Sequence, residues 1–353
     1  MLVPELLPSH GYAPASWAPP PPPPHQPRWF LALALFVLTF LCTTTLGPVF
    51  WALTRTDVIA SHQPFLWWPG LVAAVWTDPE MLRLGFSFSI PALMILLAHE
   101  LGHYVACRRY RLPATLPYFI PLPLMLGTLG AFIRIRAPLR NRRELFDVGV
   151  AGPIAGFVML IPFLLYGVAL SQPAPLQLRP GETVLLPGHS LAIDLAARMF
   201  HGPMEEGMVL NLHPFALAAW FGLLATSINL IPLGQLDGGH ILYAVSRRWQ
   251  RRLAPLVWLG LAGAGFLWPG WWLWCVLSLV FGVFHPRVQS ETAPLTPGRK
   301  LLAAAALLIL ILTFMPRGIS PVGELAAPTA SGEWVQNSAT KVTGPSLTSD
   351  TSM

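Results

Sequence analysis

Apolar residues run along this chain in long blocks, not in the short alternating patterns of a soluble sheet or an amphipathic surface helix. Blocks occur at 30–53, 84–107, 146–170, 207–231, 254–268, 271–285 and 301–315, the last three shorter than the rest. About 20 apolar residues suffice to cross a bilayer. The pattern therefore predicts an all-α polytopic membrane protein with six or seven transmembrane helices. One more apolar stretch does not read as a helix. Residues 112–133, LPATLPYFIPLPLMLGTLGAFI, contain Pro113, Pro117, Pro121 and Pro123, then Gly127 and Gly130. These residues break helical hydrogen bonding. Arginines flank both ends, so the stretch is expected to dip into the membrane and return to the same side, as a re-entrant or β-hairpin loop.

Composition agrees with this picture. With 54% hydrophobic and 11% charged residues, the chain is too apolar for a soluble globular protein of its length. The net charge of +6 invites a nucleic-acid partner, but its distribution argues for none. Arg108, Arg109, Arg111, Arg134, Arg136, Arg140, Arg142 and Arg143 fall between the second and third blocks, and Arg247, Arg248, Arg251 and Arg252 follow the fourth. The positive-inside rule puts these segments in the cytoplasm. The loops 54–83 and 171–206 then face outside, and seven spans leave the N-terminus inside and the C-terminus outside.

Residues 1–28, with prolines from Pro19 to Pro24, are expected to form a disordered cytoplasmic tail, and the Ser/Thr-rich 318–353 a second one. Between them lie a membrane domain, 29–285, and a cytoplasmic loop plus an extra transmembrane helix, 286–317. A surface helix is expected near 190–200. Cys42, Cys107 and Cys275 have no CxxC spacing and point to neither a disulfide framework nor a thiolate metal site.

Residues 95–106 read ILLAHELGHYVA, with three titratable groups inside a span. Ionisable side chains at that depth cost roughly 2.5–3.5 kcal/mol or more each and mark function. His99 and His103 are four residues apart, on one helical face, where both imidazoles reach one metal ion. Glu100 stands beside them, suited to proton transfer. Zinc takes a third protein ligand and keeps one position open. The stretch NLIPLGQLDGGH, 229–240, offers Asp237 after Pro232 and Gly234, where the fourth span must break. Non-helical backbone at membrane depth is tolerated when it lines a cavity or is buried in protein. Counting back from the arginines puts His99 and His103 about 7–14 Å inside the cytoplasmic end at 1.5 Å per residue, and Asp237 at a similar depth.

HELGH on one span followed by N-x-x-P-x-x-x-x-D-G on a later one resembles the site-2 protease family, peptidase family M50. Residues 127–157, GTLGAFIRIRAPLRNRRELFDVGVAGPIAGF, are similar to the corresponding segment of a bacterial and plastid branch. The resemblance covers roughly 30–285 and is to a compact form without PDZ or CBS domains. It implies one zinc ion held by His99, His103 and Asp237, with Glu100 as general base and acid. Asn229 would hold substrate or the oxyanion, and His240 is not a ligand in the family pattern. The implied activity is zinc-dependent hydrolysis of peptide bonds within or near a transmembrane segment of a membrane protein substrate. A membrane metal-ion transporter and a non-catalytic scaffold are the alternatives. Gly149, Gly152 and Gly156 are expected to pack their span against the HExxH helix. No transit peptide is evident, which favours a bacterial inner membrane, with the site near the cytoplasmic side of the bilayer.

Overall fold

The computed structural model describes residues 28–55, 68–124, 126–176, 183–290 and 294–323. Helix α1 (Trp29–Leu53) comes first, and a short α2 (Trp68–Thr77) leads into α3 (Pro79–Arg109). A hairpin of β1 (Tyr118–Pro121) and β2 (Thr128–Phe132) follows, then α4 (Arg142–Ala169). Strands β3 (Gln172–Pro175) and β4 (Thr183–Pro187), helix α5 (Leu191–His201) and strand β5 (Met208–Asn211) separate α4 from α6 (Pro214–Leu230). Then come α7 (Asp237–Val245), α8 (Arg247–Ala264), α9 (Gly270–Phe281), α10 (Pro297–Thr313) and β6 (Ile319–Gly323). The protein is mostly helical. Helices α1, α3 and α4 are long and apolar enough to cross a membrane, and α6 and α9 are shorter apolar helices.

Local chemistry sets the boundaries. The Asp78 side chain accepts the Glu80 amide at 2.9 Å, and Pro79 opens α3, a position where its missing donor is not needed. At the other end the Leu112 amide reaches back to the Cys107 carbonyl at 2.9 Å while Arg111 turns left-handed at φ 55°. This Schellman-type stop sends the chain straight into the hairpin. Asn141 caps α4, accepting from the Arg143 and Glu144 amides at 3.0 Å each. Helix α6 starts later than its apolar block suggests. Met208–Asn211 peels away to pair antiparallel with β3, and Pro214 fixes the first helical turn.

Lipid tails are as apolar as leucine, so helices in a bilayer associate through close packing rather than through the hydrophobic effect. Here α3, α4 and α6 form the centre, and glycines let them approach. A Cβ on Gly102 would overlap the Ala151 carbonyl of α4, and one on Gly222 of α6 would lie 2.9 Å from both Ile95 and Leu160. Phe88, Leu160, Leu217, Trp220 and Leu223 fill the space between, all fully buried. Helix α1 joins through a Thr44 to Ser89 hydroxyl bond of 2.8 Å.

The proline-rich stretch folds as an antiparallel hairpin with Tyr118 opposite Phe132 and Phe119 opposite Ala131. Phe119 is buried against Phe36, ring centroids 5.1 Å apart. Gly127, at φ +80°, lies so close to the backbone of Thr43 that a Cβ would sit 2.6 Å from its Cα. The hairpin is thereby pinned to α1, and β2 keeps an edge with no strand partner among the described residues.

The stretches 1–27 and 324–353, expected to be tails, lie outside the described residues. Strand β6 falls within the expected C-terminal tail. It pairs with β4 over the full register from Thr183 opposite Gly323 to Pro187 opposite Ile319. A helix does form at Leu191–His201, capped by Ser190.

Candidate active site

Helix α3 carries His99 and His103 on one face, their ring centroids 4.8 Å apart, and both are buried together with Glu100. The Val148 carbonyl of α4 can only accept, so the Nδ1–H of His103 donates to it at 2.7 Å. That bond fixes the tautomer and leaves the Nε2 lone pair facing inward. Two glycines of α4 make room for the rings. A Cβ on Gly152 would overlap the His103 imidazole at its Nε2 edge, and one on Gly156 would press on His99 Cβ at 3.1 Å.

Asp237 arrives from a different part of the fold. Helix α6 stops at Leu230, and the next few residues turn sharply, with Gly234 at φ +53°. Gly238 and Gly239 lie directly against the carbonyls of Leu230 and Gly234, where no Cβ fits. Asp237 is the first residue of α7, and its Oδ2 lies 3.3 Å from both His99 Nε2 and His103 Nε2. The two Nε2 atoms are 3.1 Å apart.

These three atoms make a nearly equilateral triangle of electron-pair donors. Around a tetrahedral zinc ion with bonds of about 2.0–2.1 Å, neighbouring ligand atoms stand about 3.3–3.4 Å apart. The observed edges of 3.1, 3.3 and 3.3 Å fit that spacing. Two imidazoles and one carboxylate, buried and within one ion's reach, are also a donor set that zinc accepts. The residues present therefore suit a zinc ion.

Glu100 stands beside the triangle, its carboxylate hydrogen-bonded by the backbone of Ile133 just past β2. Asn229, the next-to-last residue of α6, brings its Nδ2 to 3.5 Å from His99 Nε2, a long contact. His240 turns elsewhere, and its Nδ1 meets His285 Nε2 at 2.8 Å. His99, Glu100 and Asn229 look into a cavity of about 1240 Å³ whose other walls are apolar side chains of α1, α6, α9 and the hairpin, with Leu129 and Ala131 of β2 among them. The Val148 carbonyl escapes any sequence reading, because every residue has one. The α4 glycines were legible as a packing stripe, though not as the seat of the histidine rings.

Fold and site together define a class: helical membrane proteins with an HExxH metal centre buried in the bundle. Residues 87–258 match the model of peptidase family M50, and the chain belongs to that family. Its relatives include "Probable zinc metalloprotease EGY2, chloroplastic" of Oryza sativa subsp. indica, 30% identical over 277 residues, which cover 76% of this chain and 46% of the relative. "Probable zinc metalloprotease EGY1, chloroplastic" of Arabidopsis thaliana is 31% identical over 318 residues, 82% of this chain and 53% of its own. "Probable zinc metalloprotease EGY3, chloroplastic" of Oryza sativa subsp. indica is 26% identical over 292 residues, 77% and 48% respectively. The chain thus spans about half the length of these relatives.

Proposed function

We propose that this chain is a zinc-dependent endopeptidase that hydrolyses a peptide bond within or near a transmembrane segment of another membrane protein. The observation that carries the reading is the His99, His103, Asp237 triangle with Glu100 beside it, opening on an apolar cavity. In this reading His99, His103 and Asp237 hold the metal. Zinc, when bound, supplies Lewis acidity that polarises a carbonyl and acidifies water. Glu100 takes the proton of the attacking water and delivers it to the leaving amine nitrogen. The Asn229 Nδ2–H donates to the negative charge developing on the scissile carbonyl oxygen. The Val148 carbonyl keeps the His103 proton on Nδ1, away from the centre.

A substrate helix hides its carbonyls in its own hydrogen bonds, so it must unwind before attack. The open edge of β2 suits that need, because an extended segment can add to a sheet edge through main-chain bonds. Both Leu129 and Gly130 of that strand border the cavity, which supports a hairpin that dips into the membrane beside the site.

Seven spans, with α6 and α7 acting as one broken crossing, fit the connections. The pairing of β4 with β6 supports a common outer side for the α4–α6 segment and the chain after α10. Residues 29–285 form the protease domain in this reading, and 286–317 an added arm. We place the site toward the arginine-rich, cytoplasmic face of the membrane, a side supported by the arginine distribution; the relatives are named chloroplastic.

The test is Glu100→Gln, which keeps the size of the side chain and removes its basicity. Zinc content should stay at the wild-type level while cleavage stops. Membrane proteomics of cells carrying this variant should reveal an accumulated single-span protein or its truncated stub. Undiminished cleavage in this variant would refute the mechanism. A transporter would instead lose metal uptake on replacement of His99 or Asp237, with no substrate accumulating.

A further inference from the structure

Arg299, the third residue of α10, lies beyond the 87–258 stretch matched by the family. Its Nε donates to Asp147 Oδ1 at 2.8 Å and its Nη2 to Asp147 Oδ2 at 2.7 Å. The Tyr110 hydroxyl donates to the same Oδ2 at 2.5 Å and accepts from Arg299 Nη2 at 3.3 Å. Both charged side chains are about three-quarters buried, at 23% and 24% exposure. A bidentate pair so shielded is geometrically stiff. Burial, then the Asp147 carboxylate, raises the Tyr110 phenol above its usual range, so it stays a donor.

The position of this cluster gives it a further meaning. Tyr110 caps the C-terminal end of α3, the helix that carries both histidines. Asp147 is the residue before Val148, whose carbonyl holds His103 Nδ1 at 2.7 Å. One guanidinium therefore fastens together the two backbones whose separation sets that bond. We propose that Arg299 is a positioning residue for the metal centre, acting through Asp147 and the Val148 carbonyl on His103. This inference rests on the zinc-site reading above.

An anchor that merely attached α10 to the bundle would leave the centre untouched, and zinc retention separates the two roles. Full-length protein in detergent micelles is loaded with zinc and challenged with a chelator, and the rate of zinc loss is read with a chromogenic indicator. Arg299→Ala should release zinc about tenfold faster, the low end of the roughly 10–100-fold effect of groups that orient metal ligands. Arg299→Lys keeps the charge, disturbs the fold least and loses the planar fork, so about threefold is expected. Arg143→Ala is the control, because it removes a 3.0 Å bond to the Pro294 carbonyl just before α10 without touching Asp147. It should release zinc at the wild-type rate. Wild-type retention in Arg299→Lys, or equal loosening in Arg143→Ala, overturns the proposal. Asp237→Ala, run alongside, keeps the two failures apart: if it also holds zinc like the wild type, the zinc-site reading itself is wrong.

Discussion

Replacing Gly152 by alanine tests the seat of His103 with a single methyl group. The added Cβ would overlap the imidazole at Nε2 and also crowd Cδ2 and Cε1. Moving the helices apart would give up the close packing of Gly102 on the Ala151 carbonyl and Gly152 Cα. The ring must therefore move. Without metal it can swing aside, at the loss of its bond to Val148. With metal it must return to the crowded position, so the strain appears in affinity more than in folding. Overpacking a close-packed interior costs about 1–3 kcal/mol. At about 1.4 kcal/mol per factor of ten, zinc binding should weaken roughly 5- to 150-fold. The assay is competition against a graded series of chelators, with a thermal unfolding scan of the metal-free protein beside it. Gly263→Ala on α8, where nothing lies within 4 Å, should leave zinc binding unchanged. Wild-type zinc affinity in Gly152→Ala would show that the ring does not need this space and would refute the reasoning.

Three further outcomes are expected. Asn229→Ala should keep its zinc and slow cleavage about 10²–10³-fold, as loss of one oxyanion donor does elsewhere, and an unchanged turnover number would remove it from the mechanism. Asp237→Asn leaves the shape of the triangle but removes its only negative charge, so zinc content measured by elemental analysis should fall steeply while the bundle remains folded. Single cysteines at His189 and Arg251 should react with a membrane-impermeant maleimide from opposite sides of intact vesicles, and labelling from one side would break the seven-span topology.

The metal centre was legible where chemistry repeats at short range. His99 and His103 share a helical face by spacing alone, and Pro232 with Gly234 announces a broken span. The hairpin was legible from Pro113, Pro117, Pro121 and Pro123, which together interrupt the hydrogen bonding of a continuous helix. Other features depend on contacts between distant segments. Arg299 reads in sequence as one more positive-inside charge, and only the folded chain brings it to Asp147. Strands β4 and β6 are short and each contains a proline at or near its centre or end, so neither has an alternating pattern to announce it. The α5 helix was anticipated only as a surface element, and α2 lies in a loop whose apolar content is too brief to stand out.

The pairing of β6 with β4 has a consequence for how the protein is made. Ile319 at the start of β6 borders the cavity, together with Trp274 of α9. The partner strand is synthesised long before β6 leaves the ribosome, and α10 lies between them in the chain. Residues His99, Glu100 and His103 are translated early, yet the cavity beside them gains Ile319 in its lining only after α10 has been made. A chain translated only as far as α10 thus carries these three side chains without the strand that completes the β4 pairing.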